Sequence, residues 1–286
     1  MDIRRLTTIE EFREVQRLEE RVWGYTTGDD AVPAQMLLVS SHVGGLVIGA
    51  HAHGRMIGFA YSMPAVRDGK PYQWSHMLGV DPEYRNAGVG WRLKIEQRRM
   101  VMEAGLDLIA WTFDPLQAAN AHVNFRKLGA IAREYREDEY PGSSSGLHAG
   151  TPTDRLVVEW WLRSERLASR LDRAAGGETP TSGGRAPAPG SAPAVNRVRQ
   201  GKRFLEPAGH DLSIEAPWLA VVIPTGFSEM QVEAVPLALE WRLATREMFE
   251  ALLARGYTVG DFARDRAARR GTYLLARESE VRPRSL

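Results

Sequence analysis

The sequence has no cysteine among its 286 residues, which excludes disulfides, thiolate metal sites and a cysteine nucleophile together. It has no apolar run of about 18 residues, so nothing in it reads as a membrane span. Met1-Asp2-Ile3-Arg4-Arg5 leads into polar sequence rather than an apolar segment, so no signal peptide is expected and the expected address is the cytoplasm. Charge of one sign is also missing. The formal net charge is +1 with no basic block, which argues against nucleic acid as a partner. Only four of the 37 basic residues are lysines (70, 94, 127 and 202), an arginine excess that reads as composition bias. His42, His51 and His53 lie near one another in sequence without carboxylates at ligand spacing, so no metal is expected.

What is present is ordinary for a soluble globular chain, 43% apolar and 26% charged. Residues 2–6 read as a strand. Thr8-Ile9-Glu10-Glu11 carries a capping-box signature, and Phe12, Val15, Leu18 and Val22 follow at helical spacing. Two strand-like runs, 44–52 and 55–66, flank a turn at His53-Gly54, and "QWSHMLGV" (73–80) is a third. A helix over about 88–104, a strand over 107–114, a short helix over 117–128 and strands over 130–137 and 154–162 complete a first block. "GGETPTSGGRAPAPGSAPA" (176–194) then has linker composition. After it a strand (218–224), helical sequence broken at Pro236 and a terminal strand pair repeat the end of the first block in outline. An unrelated small α/β domain explains that outline equally well.

The most informative stretch is "VDPEYRNAGVGWRLK" (80–94), where a strand turns into a helix through glycine. Glycine at such a corner permits positive φ or close backbone approach, and a helix N-terminus attracts anions, commonly phosphate. A Walker A loop needs Lys-Ser/Thr after its last glycine, whereas Trp91-Arg92 stands there. A dinucleotide fingerprint needs a third glycine that is absent. What fits is [RQ]-x-x-G-x-[GA], filled by Arg85, Asn86, Ala87, Gly88, Val89 and Gly90.

That pattern at that junction resembles motif A of the GNAT superfamily of acyl-CoA-dependent N-acyltransferases, and the resemblance spans about residues 1–163. It implies an α/β (α+β) fold with a mixed, twisted central sheet and flanking helices. Three parts follow: a GNAT domain over 1–163, a helix end and linker over 164–195, and a smaller α/β domain over 196–286. The resemblance implies acetyl-CoA or another acyl-CoA as cosubstrate. Main-chain groups of the turn, Arg85, Asn86, Ala87, Gly88, Val89 and Gly90, would hold its pyrophosphate, and those of Leu78, Gly79 and Val80 its pantetheine arm. "AANAHVNFRKLGA" (118–130) resembles the family's later helix, with Ala121, Lys127 and Gly129 in register. The family asparagine falls on Ala118, with Asn120 and Asn124 nearby, and Asn120 is the candidate cofactor contact. The family's tyrosine, donor of a proton to the leaving thiolate, falls on Phe125, which has none to give.

Acyl transfer to an amine requires the amine to lose its proton, the oxyanion to be stabilised and the thiolate to leave. His76 precedes Val80 by four residues, the offset of the base histidine in the family's arylalkylamine branch. Strand alternation puts residues 74, 76, 78 and 80 on one face unless a bulge intervenes. A buried structural histidine is the competing reading. His122 and Tyr135 are the candidate acids in place of Phe125. Trp74, Trp111 and Phe113 line either an acceptor pocket or the core. Arg242 and Arg246, one helical turn apart, could clamp a carboxylate of the acceptor or pair with Glu240, Glu247 or Glu250. The expected acceptor is the amine of a small molecule, with an amino acid leading and a homodimer left open. A non-catalytic acyl-CoA sensor or scaffold, and a protein N-acetyltransferase, are the alternatives.

Overall fold

The computed structural model describes residues 1–24, 31–141, 150–174, 186–188 and 190–277. The chain divides into two compact units, Met1–Trp111 with Gly142–Leu147, and Thr112–Pro141 with His148–Leu286. No described helix is long and apolar enough to cross a membrane.

In the first unit the strands lie in the order β1 (Asp2–Arg5), β2 (Leu46–Ala52), β3 (Arg55–Arg67), β4 (Lys70–Val80) and β5 (Leu108–Phe113), the last of which runs on into the second unit's sequence. The β2–β3 hairpin turns through His53 and Gly54, both at positive φ (51° and 74°). Helix α1 (Ile9–Trp23) opens with the capping box expected from Thr8 and Glu11, each satisfying a backbone N–H of the other. Its Phe12, Val15 and Leu18 join Leu6, Phe59, Tyr61 and Met77 in one apolar core. Helix α2 (Ala34–His42) follows, and α3 (Val89–Glu103) connects β4 to β5, which are parallel neighbours. Ideal side chains at Gly58 would come within 3.0 Å of Val89, so glycine there lets α3 lie close to the sheet.

In the second unit the strand order is β7 (Arg155–Trp161), β6 (Ile131–Arg136), β11 (Tyr257–Asp265), β12 (Arg270–Arg277) and β10 (Trp218–Pro224). Helix α4 (Ala118–Ala121) runs on as a wider-pitched π turn over His122–Lys127. Helices α5 (Glu165–Ala174), α6 (Phe227–Glu233) and α7 (Val235–Ala254) complete it. The helical break falls before Val235, so Pro236 sits in the first turn of α7, where its missing N–H costs nothing. A helix followed by an antiparallel pair occurs twice in this unit, and the two pairs meet at Ala132 opposite Val259. Strands from before and after the Gly/Pro-rich run therefore share one sheet, which composition alone did not foretell. Of that run, residues 175–185 and 189 lie outside the described residues. Its end is ordered: Ala192 is buried and Ala194 bridges to Ala220. Strands β8 (Asn196–Gln200) and β9 (Leu205–His210), absent from the sequence reading, form a separate antiparallel pair.

Candidate active site

β5 pairs with β4 only at Gln73 with Ile109 and Trp74 with Ala110. From Ser75 to Val80 the ladder continues on the β3 side alone, so the two parallel neighbours form a fork whose closed end is Trp74 and Ala110. Asp81 N–H donates to Ile57 C=O at 2.9 Å, and antiparallel alternation then hands the main chain of Gly79 to β3. The N–H and C=O groups of Leu78 and Val80 point to the open edge. Gly79 is glycine for a steric reason: a Cβ there would lie 2.7 Å from the Phe59 ring.

The corner beyond β4 is built by Asp81. Its carboxylate caps the single 3-10 turn Pro82–Tyr84 by accepting from Glu83 N–H at 3.1 Å, and it takes Arg55 at 2.5 Å and Arg21 at 3.5 Å. Burial alone would raise its pKa, but the hydrogen bonds from Arg55 and Glu83 and both arginine charges hold it below the usual carboxylate range. Arg85 donates to Val22 C=O at 3.2 Å, tying the turn to the negative end of α1. Asn86 and Gly88 then take left-handed φ of 66° and 78°. A Cβ on Gly88 would meet nothing within 4 Å, so the space over it is open. Helix α3 starts at Val89 with no side-chain cap and no acidic residue in its first turn. Its first N–H groups therefore point outward with partial positive charge, which is the donor set a phosphate needs. Gly90 is helical, and a Cβ there would make ordinary contacts of 3.5 and 3.7 Å with Leu78 and Val80.

His76 lies in a β-bulge. Tyr61 stands opposite Met77 and Ser62 opposite Ser75, leaving His76 as the extra residue. The alternation expected for 74, 76, 78 and 80 is broken there, and Ser75 comes into phase with Leu78. The His76 ring meets Tyr61 edge to face at 6.0 Å and keeps exposed surface, while burial of the remainder lowers its pKa and favours the neutral imidazole.

The other candidates belong to the second unit. The Tyr135 hydroxyl donates to Asp154 at 2.8 Å, and burial followed by the Asp154 charge raises its pKa above that of a free phenol. The proton is thereby committed. His122 is half-buried with an unpartnered Nδ1; burial, then Lys127, Arg126 and Arg264, lower its pKa against the opposing pull of Asp261. Asn120 is exposed at the end of α4. Phe125 is fully buried, 5.8 Å from both Phe113 and Tyr273, so the ring replacing the family tyrosine is core. Arg242 and Arg246 have carboxylate partners, though not those on their own helix. Arg242 forms a bidentate pair with Asp114 (2.8 and 2.8 Å), and Arg246 reaches Asp154 (2.9 and 2.7 Å) and Glu137 (2.6 Å). Both guanidiniums are engaged by carboxylates of the chain itself, which removes the arginine pair as a ground for preferring an amino acid.

Two groups of the first unit went unnoticed in the sequence. Glu19 on α1 is fully buried; its Oε2 accepts from Val32 N–H at 2.9 Å, its Oε1 has no partner, and burial pushes its pKa up to about 8. Lys94 on α3 is buried, and burial pushes its pKa down to about 7. Charge on a helix normally marks the solvated face, yet Gly90, Lys94, Gln97 and Val101 share the spacing that buries a stripe, and that spacing was the available signal.

No protein-family model matches this chain, and no curated protein does. Solved structures do align. A ribosomal-protein-alanine N-acetyltransferase from Brucella melitensis aligns over 56% of this chain and 99% of its own, at 17% identity and a TM-score of 0.45. An acetyltransferase of the GNAT family from Streptococcus pneumoniae aligns over 55% and 97%, at 17% and 0.45. Both neighbours are acetyltransferases by name, and the second is of the GNAT family. A third, the PaiA N-acetyltransferase from Thermoplasma acidophilum in complex with coenzyme A, aligns over 56% and 98%, at 16% and 0.39. All three TM-scores are below 0.5, and the alignments transfer no activity to this chain.

Proposed function

We propose that this chain is an acyl-CoA-dependent N-acyltransferase of the GNAT type, transferring acetyl or another short acyl group to the amine of a small molecule. The observation that carries the proposal is the continuity of the β4 edge with the corner. Outward main-chain groups at Leu78 and Val80 lead directly to the open, left-handed Gly88 and the uncapped start of α3. An extended amide-containing arm pairs with such an edge as an added strand would, and its phosphates meet the helix N-terminus. The acyl group then lies near the bulge.

The chemistry follows from the same groups. Neutral His76 takes a proton from the acceptor ammonium, and the free amine nitrogen then attacks the thioester carbonyl carbon. The developing oxyanion accepts a hydrogen bond from an outward main-chain N–H of the β4 edge. When the C–S bond breaks, the sulfur takes its proton from water, since the hydroxyl of Tyr135 is engaged by Asp154, and the hydroxide so formed takes the second proton from the adduct nitrogen to leave the neutral amide. A second reading, a coenzyme A-binding protein without turnover, is favoured by Phe125, which is buried and carries no proton. Release of free thiol with a panel of amines separates the two.

The binding half is tested at Gly88. Gly88→Asp points a carboxylate into the open space and strains a left-handed φ by roughly 1 kcal/mol, which the fold tolerates. Calorimetric titration with coenzyme A should show affinity lowered by about 100-fold or more, whereas Gly90→Ala should bind as wild type does. Unchanged affinity in a folded Gly88→Asp protein would remove the assignment.

A further inference from the structure

Lys94 takes no part in the chemistry above, yet it is the most unusual charged group in the first unit. Its Nζ donates to Ser75 Oγ at 3.0 Å and to Gln97 Oε1 at 3.1 Å, and it sits 3.9 Å from the centre of the Trp111 ring. The three directions of an ammonium are thus filled by a hydroxyl, an amide oxygen and a π face. Gln97 Nε2 donates to the same Ser75 oxygen at 3.2 Å. Among the described residues, no carboxylate forms an ion pair with Lys94, and burial alone accounts for its lowered pKa. A buried cation without a counter-ion costs stability, and an apolar side chain of the same length would avoid that cost.

The place where this cost is incurred is informative. The last paired residues of β4 and β5 are Trp74 and Ala110, and Lys94 grips the next residue on each limb, Ser75 and Trp111. Ser75 is also the residue of β4 that precedes the bulged His76. Packing alone fixes strands to within the slack of their side chains. Here a hydrogen bond from a helix fixes one side of an irregularity in the ladder, and a ring contact fixes the other limb.

We propose that Lys94 is a positioning residue: by holding Ser75 and Trp111 at the closed end of the fork, it sets the β4 bulge and so the direction of the His76 ring. This rests on the acyltransferase reading for its consequence in catalysis, but its structural content does not depend on turnover. Lys94→Met keeps the chain length and removes the ammonium. Ser75→Ala removes the hydroxyl while leaving Lys94 its contacts with Gln97 and Trp111. Ser75→Thr retains a hydroxyl.

The first measurement is the imidazole NMR spectrum, in which His76 is one of seven histidines. In Lys94→Met and in Ser75→Ala the His76 signal and its titration should move while the other six stay, and Ser75→Thr should restore both. This readout needs no substrate and stands even if the protein acylates nothing. The second measurement is stability against rate. Lys94→Met should melt no lower than wild type, yet lose about tenfold or more in kcat with KM for acyl-CoA little changed, as expected when a catalytic group is misdirected by a fraction of an ångström. An unmoved His76 signal in both variants overturns the proposal, as does a Ser75→Thr protein that behaves like Ser75→Ala. Should Lys94→Met not fold, Ser75→Ala decides alone. If His76 moves as expected and no amine is acylated even by wild type, the positioning role stands and the proposed activity falls.

Discussion

Two strand ends in this molecule carry the same dipeptide and turn it to different uses. "VDPEY" follows β4 in the first unit and "FDPLQ" follows β5 in the second, and in each the aspartate is buried. Each aspartate also accepts the N–H two residues on, Glu83 at 3.1 Å and Leu116 at 2.9 Å. Asp81 then gathers two half-exposed arginines, and the chain beyond it opens into the left-handed turn. Asp114 is filled by the fully buried guanidinium of Arg242, while the Tyr273 hydroxyl takes the carbonyl of Pro115 at 2.5 Å. An Asp-Pro corner is therefore only a way of ending a strand neatly. It becomes a candidate binding site where the N–H groups after it are left open, and a structural joint where later sequence closes over it.

The comparison is broken most severely at the closed corner. Asp114→Ala strands Arg242 in the core, and urea denaturation should show a loss of about 3–5 kcal/mol; Asp114→Leu with Arg242→Met should recover most of it. Asp81→Ala removes a cap and two half-exposed pairs, for which about 1–2 kcal/mol is expected. Equal losses at the two corners would show that the distinction between them is not energetic.

How far the sequence announced this difference depends on how local each feature is. The open corner was legible because Gly88 and Gly90 act through their own backbone, and the Thr8 cap was legible because its partner Glu11 is only three residues on. The partners of Arg242 and Arg246 were not, because Asp114 and Asp154 lie 128 and 92 residues away. Spacing on α7 showed that the two arginines share a face but not what that face meets. The bulge at His76 was hidden likewise, since it exists only in the register between β4 and β3. A candidate histidine was named correctly as part of the strand, but its direction could not come from counting by twos.

The open side is probed next by His76→Ala. If His76 is the base, kcat should fall by about 100-fold, or 2.7 kcal/mol, with coenzyme A affinity little altered. The base acts as neutral imidazole, so kcat/KM should rise with pH through its pKa. Burial places that midpoint below the ordinary value of 6.5, and the limb should vanish in the variant. A midpoint that follows the pKa of each amine acceptor would assign the limb to substrate instead.

Glu19 is, like Lys94, a buried group of the first unit with no counter-charge among the described residues, and its effect shrinks to nothing as pH falls. Its folded pKa of about 8 lies above the unfolded value of 4.5, so the folded state holds the extra proton between them. Stability is fully present below about pH 4.5 and declines as pH rises towards 8. Glu19→Gln mimics the protonated form and keeps an oxygen for Val32 N–H. It should match wild type near pH 4 and exceed it by a margin that grows steadily to pH 8, on the order of 1.4 kcal/mol for each unit by which the folded pKa is raised. A difference that is the same at both pH values would mean that the carboxyl does not titrate in this range.

The pairing of β6 with β11 has a consequence for how the chain can be divided and multiplied. A strand with a bare side is a template that another copy can extend. β6 has β7 on one side and β11 on the other, so the polypeptide supplies from its own later sequence the neighbour that a second subunit would otherwise provide. Breaking the backbone anywhere between α5 and β8 would change connectivity without removing that neighbour. The two fragments would then behave as a noncovalent heterodimer, eluting together and parting only when the protein unfolds.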